Sequence, residues 1–140
     1  TGVQTCALPI SPSGVGLPAG SGSVQQGMAV YVAKCAVCHG DKGAGKPADA
    51  LAGGKGTLAA ADAVRTVGSY WPYATTLFDY VRRAMPVNAP MSLTNDEVYA
   101  ATAYVLNVNG IIGADAVMNA QTLPQVVMPN RGGFIDVSRK

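Results

Sequence analysis

The chain has 140 residues, a formal net charge of +2, 49% hydrophobic residues and 13% charged residues. This length and balance are typical of one small globular domain rather than of a disordered chain. The small net charge and the lack of a basic run give no support to nucleic-acid binding. No apolar run approaches the ~18 residues of a membrane-spanning helix, so we expect no membrane span.

The amino-terminal part of the chain carries no periodic pattern. Residues 1–10 resemble the translation of a sequencing-library adapter. We therefore interpret them as an artefact and assign no function to Cys6. Residues 11–23 are rich in Gly, Pro and Ser, a composition typical of a linker or an extended lead-in.

A first helix is predicted from about Ser23 to Lys34, where apolar residues recur at helical spacing. Gly27 lies in its interior, where a glycine costs about 1 kcal/mol relative to alanine. We therefore expect a second helix to approach closely at Gly27.

The segment Cys35-Ala36-Val37-Cys38-His39 places two thiols three residues apart, with an imidazole directly after the second. On a helical turn, residues three and four apart share a face, so Cys35, Cys38 and His39 can address one ligand. This spacing is the attachment signature of c-type haem. The two sulfurs form thioethers with the haem vinyl groups and the imidazole binds the iron. We therefore predict one covalently bound haem c.

Two other uses of a Cys-x-x-Cys pair have less support. A structural zinc site needs a second pair of ligands, but Cys6 is the one further cysteine and His39 is the only histidine. A thioredoxin-like dithiol belongs in a βαβ context, and the sequence shows no βαβ pattern.

Residues 39–69 form a long, glycine-rich connection, within which residues 59–67 are compatible with a short helix. A loop of this length is uncommon in a compact domain unless something orders it, and a haem lying against it would do so. Residues 77–84 then read as a helix that ends before Met85-Pro86.

The strongest helix signal begins at Thr94. The run from Thr94 to Glu97 is a capping box, and its acidic residues suit the positive end of the helix dipole. The apolar stripe continues to a stop near Asn109. We expect Tyr104, on this helix, to fill the notch left by Gly27.

A haem with one histidine ligand needs a sixth ligand or keeps an open iron position. Methionine is the usual partner in electron carriers, where it raises the reduction potential. Of the five methionines, Met28 is too close to the attachment segment to reach the opposite haem face, and Met118 lies beyond the main fold. We favour Met85, which opens a loop directly after a helix. Met91 and Met128 remain alternatives, and a loop methionine can also simply fill core.

Trp71, the only tryptophan, is flanked by aromatic residues. It is either a core aromatic or a donor, through its indole N–H, to a buried haem propionate, with Tyr70 or Tyr73 assisting. Arg82 and Arg83 can reach a propionate or a partner protein, although a solvated surface is the commoner role for at least one of them.

Together these features resemble the class I c-type cytochromes over residues 24–110, through the Gly27–Tyr31 helix, Cys35–Gly40, Met85-Pro86 and Ala103-Tyr104. The resemblance implies an all-α fold in which helices and long loops surround one covalently bound haem. A narrower set of motifs is similar to the SoxD-type cytochrome subunits of sulfur-compound dehydrogenases: residues 16–23, 69–74, 77–80, 83–86, 93–94, 96–100 and 128–131.

The narrower resemblance implies ligation by His39 and Met85, a molybdenum sulfur-compound dehydrogenase as electron donor and another cytochrome as acceptor. We expect a periplasmic location, because haem attachment of this kind takes place outside the bacterial cytoplasm, with a signal peptide lost upstream of this sequence. Full SoxD-type subunits carry a second haem domain, whereas this chain has one Cys-x-x-Cys-His motif. The segment 46–51 lacks a proline directly before Leu51, which leaves open the carbonyl that accepts the ring N–H of His39.

The sequence thus predicts a cytochrome domain over residues 24–110 and a carboxy-terminal extension over residues 111–140 that wraps it, with a weak helical stretch at 114–120. Its expected role is one-electron transfer without independent substrate turnover. The alternatives are an open-iron haem protein with peroxidase or gas-binding activity, and the cytochrome subunit of a different, alcohol-type dehydrogenase.

Overall fold

The computed structural model describes residues 10–45, 48, 50–53, 66–67 and 71–130. Within these residues the chain forms four α-helices and one two-stranded sheet. The mostly helical architecture confirms the predicted fold class. The elements are β1 Ser21–Ser23, α1 Val24–Lys34, α2 Ala36–His39, α3 Ala74–Ala84, α4 Asn95–Val108 and β2 Val117–Asn119.

Some predictions fall outside the described residues. These are Tyr70, Cys6 with the rest of residues 1–9, most of the helix over residues 59–67, and residues 131–140. The adapter interpretation therefore stays a prediction, although Ile10, its last residue, is buried. No helix among the described ranges is long and apolar enough to cross a bilayer.

The packing of α1 against α4 depends on the missing side chain of Gly27. A Cβ atom added there would clash with the backbone carbonyl of Ala100 and would lie 2.8 Å from the Cβ of Tyr104. The predicted close approach is confirmed: the Ala100 backbone lies nearest to Gly27, and the Cβ of Tyr104 shares the notch that we expected Tyr104 to fill. The Tyr104 ring packs on Tyr31 of α1, with ring centroids 5.0 Å apart.

Both long helices of this pair begin at capping boxes. At α4 the Thr94 hydroxyl accepts the Glu97 N–H at 3.1 Å, and the Glu97 carboxylate accepts the Thr94 N–H at 2.8 Å. The predicted start of this helix and its end at Asn109 are confirmed. At α1, Ser23 and Gln26 exchange the same two bonds at 3.1 and 2.9 Å, which fixes the predicted start near Ser23.

The helix α4 is the centre of the core. Every residue from Val98 to Leu106 is buried, so α4 contacts other elements on all sides. On one side α3 packs against it through Phe78, whose ring centroid lies 4.4 Å from that of Tyr99. Both α1 and α3 pack against α4. The predicted site residues Cys35, Cys38 and His39 follow α1, and Met85 follows α3.

The segment before α1 is an extended lead-in that lies against α4. The Tyr99 hydroxyl donates to the carbonyl of Pro18 at 2.6 Å. The backbone N–H of Ser21 donates to the carboxylate of Asp96 at 2.9 Å. Residues 11–23 are therefore a lead-in that is held against α4 at Pro18 and Ser21, and not a free linker.

The tail differs from the sequence-based expectation of a helical stretch over residues 114–120. Val117–Asn119 is instead the strand β2, paired antiparallel with β1. The helix prediction is wrong because β1 offers this segment backbone partners that local propensity does not reveal. Gly22 lets β1 lie directly against α4, since a Cβ atom there would clash with the backbone of Ala100.

Candidate haem-binding site

The predicted attachment segment opens onto a cavity of about 690 Å³. This volume lies within the roughly 300–1,000 Å³ of typical cofactor and ligand sites. Its lining brings together five of the six site residues predicted from sequence: Cys35, Cys38, His39, Trp71 and Met85. Tyr70, the sixth, lies outside the described residues.

Most of the remaining lining is apolar. The helices α3 and α4 contribute one set of side chains, and the connections on both sides of α3 contribute another. An apolar, half-enclosed space of this kind excludes water from whatever fills it. The main apolar contributors are Leu51, Val67, Leu77, Val81, Ala101 and Val105.

The turn that follows α1 places the thiols and the imidazole together. The N–H of Cys35 donates to the carbonyl of Tyr31 at 2.8 Å and completes the last turn of α1. The N–H of His39 then donates to the carbonyl of Cys35 at 2.9 Å, closing the single turn of α2. Because Cys35, Cys38 and His39 lie within this one turn, they meet at one cavity.

Further hydrogen bonds fix the backbone that carries the imidazole. The N–H of Gly45 donates to the carbonyl of His39 at 2.6 Å, and the N–H of Ala48 donates to that of Cys38 at 2.8 Å. The buried Tyr31 hydroxyl donates to the carbonyl of Gly40 at 2.7 Å. The peptide groups on both sides of His39 are therefore tied to neighbouring segments.

Met85 leaves α3 at the point where its backbone turns extended. Its N–H donates to the carbonyl of Val81 at 3.2 Å, which ends the helix, and its φ and ψ are −112° and 145°. The side chain is half-buried and lines the cavity.

The other methionines, all of them within the described residues, do not line the cavity. Met91 is 65% exposed, and Met118 and Met128 are buried in the core at 4% and 1% exposure. Met28 is 52% exposed on α1. The geometry therefore favours Met85 over Met91 and Met128, the two alternatives that the sequence leaves open.

Trp71 is half-buried at the cavity and makes an edge-on contact with Tyr80, with ring centroids 5.7 Å apart and planes at 88°. Sequence reasoning missed Tyr80, which also lines the cavity. Its spacing from Leu77, on the same helix face, is the signal that could have found it. Arg83, considered as a propionate or partner contact, pairs at 2.6 Å with Asp79 on its own helix.

Burial changes the acid–base behaviour of two groups near the attachment turn. It raises the pKa of the Cys35 thiol to about 11, and the neighbouring Cys38 adds to the shift. Burial likewise raises the pKa of Tyr31 to about 12. Before attachment the Cys35 sulfur is therefore a protonated thiol at neutral pH.

The donor set fits a covalently held haem c. Two thiols within one turn would supply the vinyl attachments, and the His39 imidazole and the Met85 thioether would be the ligands available to its iron. The apolar walls suit a macrocycle that is itself largely apolar. By contrast, no group of three or more His, Cys, Asp or Glu side chains is gathered in the described part of the chain as a metal site would need.

Comparisons with known proteins agree with this chemistry. The family model described as cytochrome c matches residues 24–109. The chain is similar to a chain in the crystal structure of the sulfane dehydrogenase SoxCD from Paracoccus pantotrophus. The TM-score is 0.89 and the identity 41%, covering 99% of this chain and 73% of that chain. No curated protein matches the sequence. The mostly helical fold, the attachment turn and these matches together show that the chain belongs to the cytochrome c family.

Proposed function

We propose that this chain performs one-electron transfer through a single covalently attached haem c, and that it accepts electrons from a molybdenum sulfur-compound dehydrogenase. One observation carries the first part: Cys35, Cys38, His39 and Met85 line the same apolar cavity. When bound, the haem supplies the reversible one-electron couple of its iron. The chain holds it, supplies axial ligands and limits the access of water.

Each of these residues has a defined role. The Cys35 and Cys38 sulfurs anchor the haem covalently, and His39 supplies the nitrogen ligand from a backbone that Gly45 and Ala48 hold in place. The Met85 thioether is the second ligand, and a methionine in this position raises the reduction potential. With His39 and Met85 as its two protein ligands, a bound haem iron would be closed to exogenous ligands.

The cavity opening carries exposed apolar side chains that suit a redox partner. Val37 is 81% exposed and Val87 is 72% exposed, and both line the cavity. An apolar rim of small extent favours a transient contact rather than a large obligate interface. We assign the donor and the later acceptor, a second cytochrome, to this opening.

The sulfur branch of the proposal rests on the relative. SoxCD is described as a sulfane dehydrogenase, and 41% identity over nearly the whole chain supports a related donor here. With such a donor, we propose a periplasmic location. The chain by itself turns over no substrate.

The ligand assignment is tested by spectroscopy of two matched variants. We expect Met85→Ala to lose the weak far-red absorption band of methionine-ligated ferric haem and to bind CO rapidly when reduced. Met91→Ala removes a side chain outside the cavity and should keep the wild-type spectrum. Persistence of the band in Met85→Ala would contradict the assignment, and rapid CO binding by the wild-type protein would favour an open-iron function.

A further inference from the structure

Asn109, at the carboxy-terminal end of α4, is buried with 4% of its surface exposed. Its side-chain N–H groups donate to the carbonyls of Leu51 at 3.0 Å and Val105 at 2.9 Å. Its side-chain oxygen accepts the N–H of Gly53 at 3.3 Å. A buried amide is stabilising only when its polar atoms are paired in this way. Asn109 thus ties the end of α4 to a segment far away in sequence.

A second polar contact holds the same segment from its other side. The Thr66 hydroxyl donates to the carbonyl of Gly53 at 2.6 Å, and Thr66 is 2% exposed and lines the cavity. The N–H of Gly53 is therefore held by Asn109 and its carbonyl by Thr66. Gly53 itself is exposed, so these bonds, rather than packing, set its position.

The held segment is a wall of the haem cavity. Leu51 and Ala50 line that cavity. At its other end the segment is tied to the attachment region, because the N–H groups of Leu51 and Ala52 donate to the carbonyl of Gly43 at 2.9 and 3.1 Å. We call residues 50–53 the cavity wall.

We propose that Asn109 is a positioning residue that holds the cavity wall closed over the haem and thereby keeps the reduction potential high. This inference rests on the proposed haem site. The oxidised iron centre carries one more positive charge than the reduced one, and water stabilises that extra charge. The exposure of a haem to solvent is accordingly one of the means by which a protein sets its potential. Release of the wall admits water and lowers the potential.

The test uses the exported holoprotein and the variant Asn109→Leu, which keeps the branched side-chain shape but removes the hydrogen bonds to Leu51, Val105 and Gly53. The matched control is Asn107→Leu. Asn107 lies on the same helix, and its side chain donates to the carbonyl of Ile112 at 3.0 Å, away from the cavity wall. Both variants lose hydrogen bonds from a side-chain amide to backbone carbonyls. Only Asn109→Leu removes bonds to the cavity wall.

Two readouts separate positioning from general destabilisation. The amide hydrogen of Gly53 should exchange about tenfold faster in Asn109→Leu, the change expected from the loss of one hydrogen bond of about 1.4 kcal/mol. The midpoint reduction potential should shift to a lower value. In Asn107→Leu both quantities should equal those of the wild-type protein.

If Asn109→Leu does not fold, the isosteric Thr66→Val tests the same wall from the other side. It should also lower the potential and speed exchange of the cavity-wall amides. The inference is overturned if either folded variant holds haem covalently with unchanged potential and unchanged exchange; the proposed haem function would then still stand. A wild-type protein that carries no covalent haem would overturn the function and the inference together.

Discussion

At the scale of single residues, the Tyr31 hydroxyl joins the first helix to the attachment turn. The side chain is 1% exposed and donates to the carbonyl of Gly40. Burial is the main cause that raises its pKa to about 12 from an ordinary value of 10.0, and nearby Cys35, Tyr104 and Asp41 add smaller contributions. The protonated phenol is thus favoured in the folded protein.

The raised pKa of Tyr31 has a defined effect on stability. Because the unfolded chain loses this proton near pH 10 and the folded chain near pH 12, the folded state binds more protons between these values. The contribution is therefore complete below about pH 10 and is lost as the pH rises towards 12. We predict that the free energy of unfolding, measured with denaturant, falls less steeply over this range in Tyr31→Phe than in the wild type. Parallel curves for the two proteins would contradict the prediction.

At the scale of elements, the α1–α4 contact depends on the absence of a side chain at Gly27. Gly27→Ala adds a methyl group where the Ala100 carbonyl lies, so the two helices must separate. Overpacking of this kind costs about 1–3 kcal/mol, and we predict a loss at the upper end or beyond because backbone cannot move as a side chain does. The measurement is denaturant unfolding of the holoprotein.

Gly113→Ala is the matched control for Gly27→Ala. A Cβ atom at Gly113 meets no other atom within 4 Å, and the substitution should leave stability unchanged or raise it by up to about 1 kcal/mol. Equal stability of the two variants would show that the contact between α1 and α4 does not require a glycine at position 27.

The elements differ in how far the sequence alone predicts them. The starts of α1 and α4 are recognisable because Ser23 and Thr94 satisfy open amides through neighbours three residues away. The helix α3 begins at Ala74, earlier than predicted. Its start was not recognisable from sequence because Tyr73 provides no side-chain cap. The strand β2 was missed because its partner is at the other end of the chain.

The candidate site shows the same division between local and distant signals. The positions of Cys35, Cys38 and His39 follow from one short motif, and Met85 follows from its place directly after a helix. Asn109 was identified only as a helix end, since its bonds to Leu51 and Gly53 depend on how distant segments fold together. The position of the cavity wall, residues 50–53, could therefore not be predicted from local sequence.

At the scale of the whole molecule, the exposed apolar rim of the cavity is the surface that we propose for docking of redox partners. We predict that Val37→Asp slows reduction of the oxidised protein by a molybdenum sulfur-compound dehydrogenase about tenfold, equivalent to 1.4 kcal/mol, because a charge at an apolar contact must be desolvated. The measurement is stopped-flow absorbance with the dehydrogenase and its substrate.

Val15→Asp is the control for this docking prediction. Val15 is 74% exposed but does not line the cavity, so its substitution should leave the rate unchanged. Equal rates for both variants and the wild type would show that the partner docks elsewhere. Faster reduction by an alcohol dehydrogenase than by the sulfur-compound enzyme would contradict the proposed donor.

The central claim is that the cavity holds a haem joined to the chain through Cys35 and Cys38, and extraction of the exported protein with acidified organic solvent tests it most directly. We predict that the wild-type protein keeps its haem absorption in the protein fraction, because thioether bonds survive this treatment, and that Cys35→Ala/Cys38→Ala releases it. A colourless wild-type protein, or one whose haem passes into the solvent, would contradict the claim.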